Sequence, residues 1–195
     1  MSSSLTLATL DDLKLRLGVK DSRDDAQMQA FLALLEARFE AHLNRVLARG
    51  SETQFFDGGV RRLLLRRFPV ETATVWLDPD RRFGEDTLLA NGYDYVLDAE
   101  RGALVWGVAF NCWPETVAGI KVEYVGGYRA AGSSEGQFAA PAALTAAFLM
   151  QAEYEWRNRE HLGRQSIGAQ GQSLSLAPAK LLPEVEAAIA PFVRR

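Results

Sequence analysis

Apolar residues recur at two different spacings along the chain, and the change of spacing divides it. Over residues 9–17, "TLDDLKLRL", Leu10, Leu13 and Leu17 fall on one face of a short helix. Thr9 and Asp12, three residues apart, have the pattern of a capping box at its start, and Gly18 supplies a stop. A longer helix is predicted from Asp24 or Asp25 to about Arg49. In it Met28, Leu32, Leu35, Phe39, Leu43 and Val46 follow steps of three and four, and Gly50 closes the run.

From 51 to about 128 the pattern becomes strand-like. "TVWLD" and "IKVEYV" are rich in β-branched and aromatic residues, with turn formers at Asp57-Gly58-Gly59, Asp78-Pro79, Asn91-Gly92 and Arg101-Gly102. Turns this frequent predict an antiparallel lobe, because parallel strands need long crossover connections. The stretch "QFFDGGVRRLLLRRFPV", residues 54–70, predicts a β-hairpin turning at Asp57-Gly58.

Helical spacing returns after "RAAGSSEGQ", which reads as a flexible connector. Pro141 suits the first turn of a third helix running to about Leu162, before Gly163. Ala142, Leu149, Ala152 and Trp156 line one face of it, and Leu144, Phe148 and Ala152 an adjoining one. Residues 163–177, "GRQSIGAQGQSLSLA", lack bulk and predict a mobile loop. A last helix near 181–193 carries Leu182, Val185, Ile189 and Phe192. The pattern predicts an α+β fold, a helical bundle core with an inserted antiparallel β-lobe. Residues 1–50 supply the N-terminal helices, 51–132 the lobe, and 133–195 the C-terminal helices with the flexible loop.

Composition narrows the function classes. A chain of 195 residues suits one domain, or one with a lobe inserted in it, and 48% hydrophobic with 24% charged residues is an ordinary globular balance. A net charge of −3 gives no overall basic footprint for nucleic acid. The single cysteine, Cys112, excludes an intrachain disulfide and fits a reducing compartment. The N-terminus has neither the basic region nor the apolar core of a signal peptide, and no run has the length to span a bilayer.

Candidate chemistry is sparse. The Gly58-Gly59 turn leads into a strand-like stretch without the lysine of a phosphate loop. Asp21, Asp24 and Asp25 lack the glycine and distal glutamate of a calcium loop and read as helix caps. His42 and His161 are the only histidines, too few with Cys112 for a zinc site, and Cys112 has no histidine at a familiar catalytic spacing. Glu153 and Glu155 point to different helix faces. No catalytic residue, cofactor site or metal site is assigned. Arg61, Arg62, Arg66 and Arg67 flank a leucine triplet and read first as a solvated face, next as a contact to a neighbouring subunit or partner, and last as a nucleic-acid contact. The aromatic residues concentrated in the lobe read as core or as an interface.

The ordered series "TLDDLKLRLGV", "DDAQMQAFLALLEARFEAHLNRVL", "LLLRRFPVETATVWLD", "TLLANGYDYVLDAERGALVW", "CWPETVAGIKVEYVGGY" and "PAALTAAFLMQAEYEWRNRE" resembles the head–tail connector (adaptor) family of tailed bacteriophages and prophages, in its longer form with a β-insert. The resemblance covers roughly residues 5–162. It implies a structural, non-enzymatic virion protein at the head–tail interface, made in the host bacterial cytoplasm. Such adaptors form a ring, commonly twelvefold, that joins the portal protein to a stopper or tail-completion protein. DNA passes through their channel without sequence-specific binding, and no membrane is involved. The resemblance also implies a chain end reaching the portal. Leu174 and Leu176, alternating with serines, have the pattern of an added strand and join the four arginines as expected partner contacts.

Overall fold

The computed structural model describes residues 5–107, 112–159 and 180–194. The chain divides into two compact units, residues 1–44 with 140–195, and residues 45–139. The architecture is α+β, with four helices and two antiparallel sheets among the described residues. The predicted loop at 163–177 and His161 lie outside the described residues.

The first unit is helical. α1 (Leu10–Leu17) begins at the predicted capping box: Asp12 N–H donates to Thr9 Oγ1 at 3.1 Å and Thr9 N–H to Asp12 Oδ2 at 2.8 Å. Gly18 ends it in the left-handed region. α2 (Asp25–Leu43) buries Met28, Leu32, Leu35, Glu36, Phe39 and Leu43 along one side. α3 (Ala142–Arg157) buries Leu144, Ala147, Phe148, Gln151, Ala152, Glu155 and Trp156. Of the two predicted faces of α3, the one through Leu144 and Phe148 is the core face, whereas Ala142 is exposed.

Phe39 meets Phe148 edge-on at 5.2 Å and Phe31 meets Trp156 at 5.6 Å, so α2 and α3 run antiparallel. Two polar ties cross this core. Glu155 accepts from Arg38 Nη1 at 2.9 Å and from Gln151 Nε2 at 2.7 Å, and Gln151 Oε1 accepts the Leu182 N–H at the start of α4 (Pro183–Ile189). Glu36 accepts the Thr6 N–H with both oxygens, at 3.1 and 3.0 Å, which pins the N-terminal segment. Burial pushes the Glu36 carboxyl above its ordinary 4.5, against the pull of these backbone bonds.

Several helix ends and caps differ from the pattern. The long helix stops at Leu43, not Arg49, because Asn44 adopts φ 53° and its N–H caps the carbonyls of Ala41 and Glu40. Val46 leaves the helical stripe and its N–H donates to the Arg66 carbonyl. Asp24 holds the N-cap position without a side-chain capping bond, while Asp21 binds Arg23 and Asp25 binds Lys14. Pro141 sits at the N-cap of α3 with φ −58° and ψ 138°, one position earlier than a first-turn proline. The last helix is α4 followed by a 3-10 turn at Ala190–Phe192.

The second unit holds β1 (Gly50–Phe56), β2 (Arg62–Leu64), β3 (Val70–Leu77), β4 (Leu88–Leu89), β5 (Tyr95–Asp98), β6 (Ala103–Trp106) and β7 (Ile120–Gly126). One sheet has the order β1-β7-β3-β4, the other β2-β6-β5. The hairpin predicted at 54–70 is therefore absent: β1 pairs with β7, and β2 with β6. Asp57-Gly58-Gly59 instead carries the chain from one sheet to the other. Gly58 and Gly59 donate to the Thr116 and Trp113 carbonyls, and Asp57 Oδ1 accepts the Ala118 N–H at 2.7 Å. A Cβ at Gly58 would lie 1.6 Å from the Pro114 oxygen, so only glycine fits this crossing.

Side chains from both sheets form one core around Leu63, Leu65, Val75, Tyr95, Leu104, Trp113, Ile120 and Val122. Trp113 is fully enclosed, its ring 4.8 Å from Trp106. The stretch expected to be a flexible connector folds onto this unit: Arg129 N–H donates to the Phe138 carbonyl and Gln137 N–H to Glu71 Oε1.

Phe39→Ala should lower stability by about 3–5 kcal/mol, the cost of a cavity where a fully buried aromatic ring stood. Chemical denaturation measures it; a loss below about 1 kcal/mol would mean that the α2–α3 packing is wrong. Acid should act through two anchoring carboxylates. Backbone N–H groups of Phe83, Arg82 and Asp80 hold Asp78 below its ordinary 3.8, and the Arg49 guanidinium holds Glu71 below 4.5. Their stabilisation is present above those ordinary values and is lost as pH falls through the lowered folded values. Asp78→Asn should melt earlier than the parent at about pH 6 and lose less further stability on going to about pH 3. Parallel losses in the two proteins would refute the assignment.

Candidate subunit interface

The four sequence-predicted arginines separate into two roles. Arg67 turns inward: its Nε lies 3.0 Å from Glu52 Oε2 and its Nη1 donates to the Ala48 carbonyl at 2.5 Å. The backbone around it is fixed by Tyr124, whose hydroxyl accepts the N–H groups of Arg66 and Arg67 at 3.1 and 3.2 Å and donates to Gln54 Oε1 at 2.7 Å. Burial raises the Tyr124 pKa, so this hydroxyl keeps its proton and its donor role.

Arg61, Arg62 and Arg66 are exposed, and among the described residues none of them has an ion-pair partner. They stand at or beside β2. Alternation sets the orientation: Leu63 and Leu65 enter the core while Arg62 and Leu64 face out. The register places Arg62 opposite Val105, which is opposite Val96 on β5, giving one cross-strand row on the outer face. Leu64 is 44% and Val96 49% exposed. The result is an apolar strip bordered by exposed guanidinium groups and by the exposed Asp98–Arg101 pair, at 3.1 Å. Arginine beside aliphatic side chains is the chemistry of a protein contact. The sequence pattern singled out the arginines but not Val96 and Val105, which the register sets beside them. Their alternation with Tyr95, Leu104 and Trp106 was the signal, but the pairing of β2 with β6 is set by tertiary structure.

The outer face of the larger sheet is different. Ser51, Thr53, Thr72, Glu123 and Val125 line an open depression of about 360 Å³. Beside it Phe83 folds back, 5.6 Å from Phe55, and Lys121 lies 4.5 Å above Trp76 while pairing with Glu123 at 2.6 Å. Among the described residues no group of three or more His, Cys, Asp and Glu is arranged to hold a metal ion. Cys112 is exposed, Glu155 is buried against Arg38, and Glu153 pairs with Arg157 on another face of α3. Leu174 and Leu176 lie outside the described residues.

No family model matches the chain, and no curated protein matches it. Solved structures do. A chain in the neck of an empty GTA particle computed with C6 symmetry is 19% identical with TM-score 0.58, covering 100% of this chain and 94% of that one. A chain in the virion of a native gene transfer agent (GTA) particle is 16% identical with TM-score 0.60, covering 99% and 93%. A chain in the neck of a native GTA particle computed with C12 symmetry is 19% identical with TM-score 0.55, covering 100% and 96%. At these identities the likeness is one of fold, and it spans both units.

Arg61, Arg62 and Arg66 changed together to Gln should leave the melting temperature near that of the parent and weaken assembly, most at low ionic strength where screening is least. Each exposed pair lost would be worth about 0–1 kcal/mol. Arg67→Gln should instead destabilise the isolated chain, by about 1 kcal/mol, through loss of its hydrogen bonds to Glu52 and Ala48. Unchanged assembly of the triple variant at every salt concentration would make the three arginines a solvated face.

Proposed function

We propose that the chain is a structural head–tail connector (adaptor) of a tailed phage or phage-like particle, with no catalytic role. In this reading it forms a ring below the portal, commonly twelvefold, links the portal to the stopper or tail, and extends the DNA channel. The observation that carries the proposal is the fold likeness over 100% of the chain to chains in the neck of a GTA particle. The ordered motifs of the sequence point the same way independently. A DNA-packaging accessory or enzyme is the less favoured alternative. A stopper or tail-completion protein is the alternative within the same neck. Such proteins are small β-barrels, and the 19-residue α2 together with α3 favours the adaptor.

A ring built from one chain needs two different faces that repeat head to tail. The arginine-bordered strip on β2, β5 and β6 is one candidate face, and an acidic surface on a neighbouring subunit or adjoining ring complements it. Leu174 and Leu176 are assigned to a partner contact in the portal on their alternation with serines. DNA is expected to pass without sequence-specific contacts, since a net charge of −3 lets phosphates slide where a basic lining would hold them.

Mixing the purified chain with its cognate portal protein and measuring the mass of the complex tests the proposal. The expected result is a complex holding many copies of the chain per portal. A chain that stays monomeric and binds no portal would overturn it.

A further inference from the structure

Among the described residues the two sheets of the second unit end in four edge strands, and β1 is unlike the rest. β4, β2 and β5 span two, three and four residues. At β5 the Asn91 side chain also covers the edge, its Oδ1 accepting the Leu97 N–H at 3.3 Å. β1 runs for seven residues, and its register against β7 is unbroken from Gly50 to Phe56. It has no proline, lysine or bulge, the devices that blunt an edge. Its one charged side chain, Glu52, turns to the inner face and is neutralised by Arg67 at 3.0 Å.

In an antiparallel ladder alternate residues turn both backbone groups away from the partner strand, so about three N–H and C=O pairs of β1 face outward. Among the described residues no hydrogen bond reaches the β1 backbone from outside the β1–β7 ladder. Only an extended strand repeats donors and acceptors at the spacing of such a row. The flanking side chains define what that strand carries, because directly opposed residues share a face. A residue opposite Phe55 meets a ring that is 55% exposed and backed by Phe83 at 5.6 Å. A residue opposite Gln54 lies on the other face, beside Arg66, whose backbone N–H donates to Gln54 Oε1 at 3.0 Å. The Arg66 side chain is exposed and has no ion-pair partner among the described residues.

We propose that β1 accepts an extended strand from a different protein, with an apolar side chain over Phe55 and a carboxylate at Arg66. A second copy of the chain is the poorer occupant. Its β2, β4 and β5 are too short to fill seven positions, and its β1 brings no free carboxylate, since Glu52 is held by Arg67. Pairing β1 with β1 would also be two-fold and would stop at a dimer. Main-chain hydrogen bonds supply the affinity of such an added strand, and the pockets for alternate side chains its specificity. In the connector reading the donor is another component of the neck, but the edge and its test stand without that reading.

The test uses the full chain and two dye-labelled peptides of the length of β1, one alternating valine with glutamate and one alternating valine with lysine. Fluorescence anisotropy should show the glutamate peptide bound at least ~threefold more tightly than the lysine peptide. Amide exchange at residues 50–56 should slow in the complex, with little change in β7, which is already paired on both sides. Phe55→Ala should weaken binding of the glutamate peptide at least ~threefold, and Arg66→Glu should reverse the preference between the two peptides. Both positions are exposed, so the melting temperature should stay near that of the parent, and the comparison of peptides on the parent needs no variant. Absence of binding by either peptide at its solubility limit overturns the proposal, as does binding that leaves exchange at residues 50–56 unchanged. Equal affinity of the parent for both peptides overturns the carboxylate at Arg66. A parent that dimerises with concentration, with residues 50–56 protected in the dimer, overturns the choice of a different protein as the donor.

Discussion

The β-unit depends on a clamp where its incoming and outgoing segments lie side by side. Arg49 N–H donates to the Tyr128 carbonyl at 2.8 Å and Tyr128 N–H to the Leu47 carbonyl at 2.7 Å. Gly127, at φ +98°, passes so close that a Cβ would stand 2.5 Å from the Ala48 oxygen. Arg45 is buried beneath this pairing with its guanidinium 3.4 Å from the Phe68 ring and 5.0 Å from Tyr128, and it donates to the Phe68 carbonyl. A desolvated cation stacked on two rings is held more strongly than an exposed one. Arg49 closes the clamp from outside through Glu71, which also receives Gln137. A unit inserted into another must have adjacent ends, and these bonds set that condition.

From this clamp the two sheets follow. The Tyr124 hydroxyl fixes the backbone at Arg66 and Arg67, where the chain passes from β2 toward β3. That places Leu63 and Leu65 in the core and turns Arg62 and Leu64 outward. The clamp, the core and the outer arginine strip are consequences of the same register. In the helical unit the comparable constraint is the antiparallel meeting of Phe39 with Phe148, tied by Arg38 to Glu155.

The helices were legible in the sequence where local rules suffice. The Thr9–Asp12 capping box, the stop at Gly18 and the buried side of α2 from Met28 to Leu43 follow from spacing alone. The C-terminus of α2 was not legible, because the apolar step to Val46 continues past Asn44. Only the partners of residues 45–49, which lie more than fifteen residues downstream, show that they are extended. The same reason hid the strand pairing. Asp57-Gly58 between apolar runs has the chemistry of a hairpin, yet Pro114 and Thr116 capture the turn. For the candidate interface, the pattern marked four arginines only as a group. It had no means of separating Arg67, which meets Glu52, from Arg61, Arg62 and Arg66.

The proposed place of the chain in a particle is tested by a cryo-electron microscopy reconstruction of phage-like particles assembled with the chain carrying an added surface tag. Tag density repeated as a ring at the junction of head and tail is the expected result. Density confined to the capsid shell or the tail tube, or purified particles that lack the chain, would contradict it.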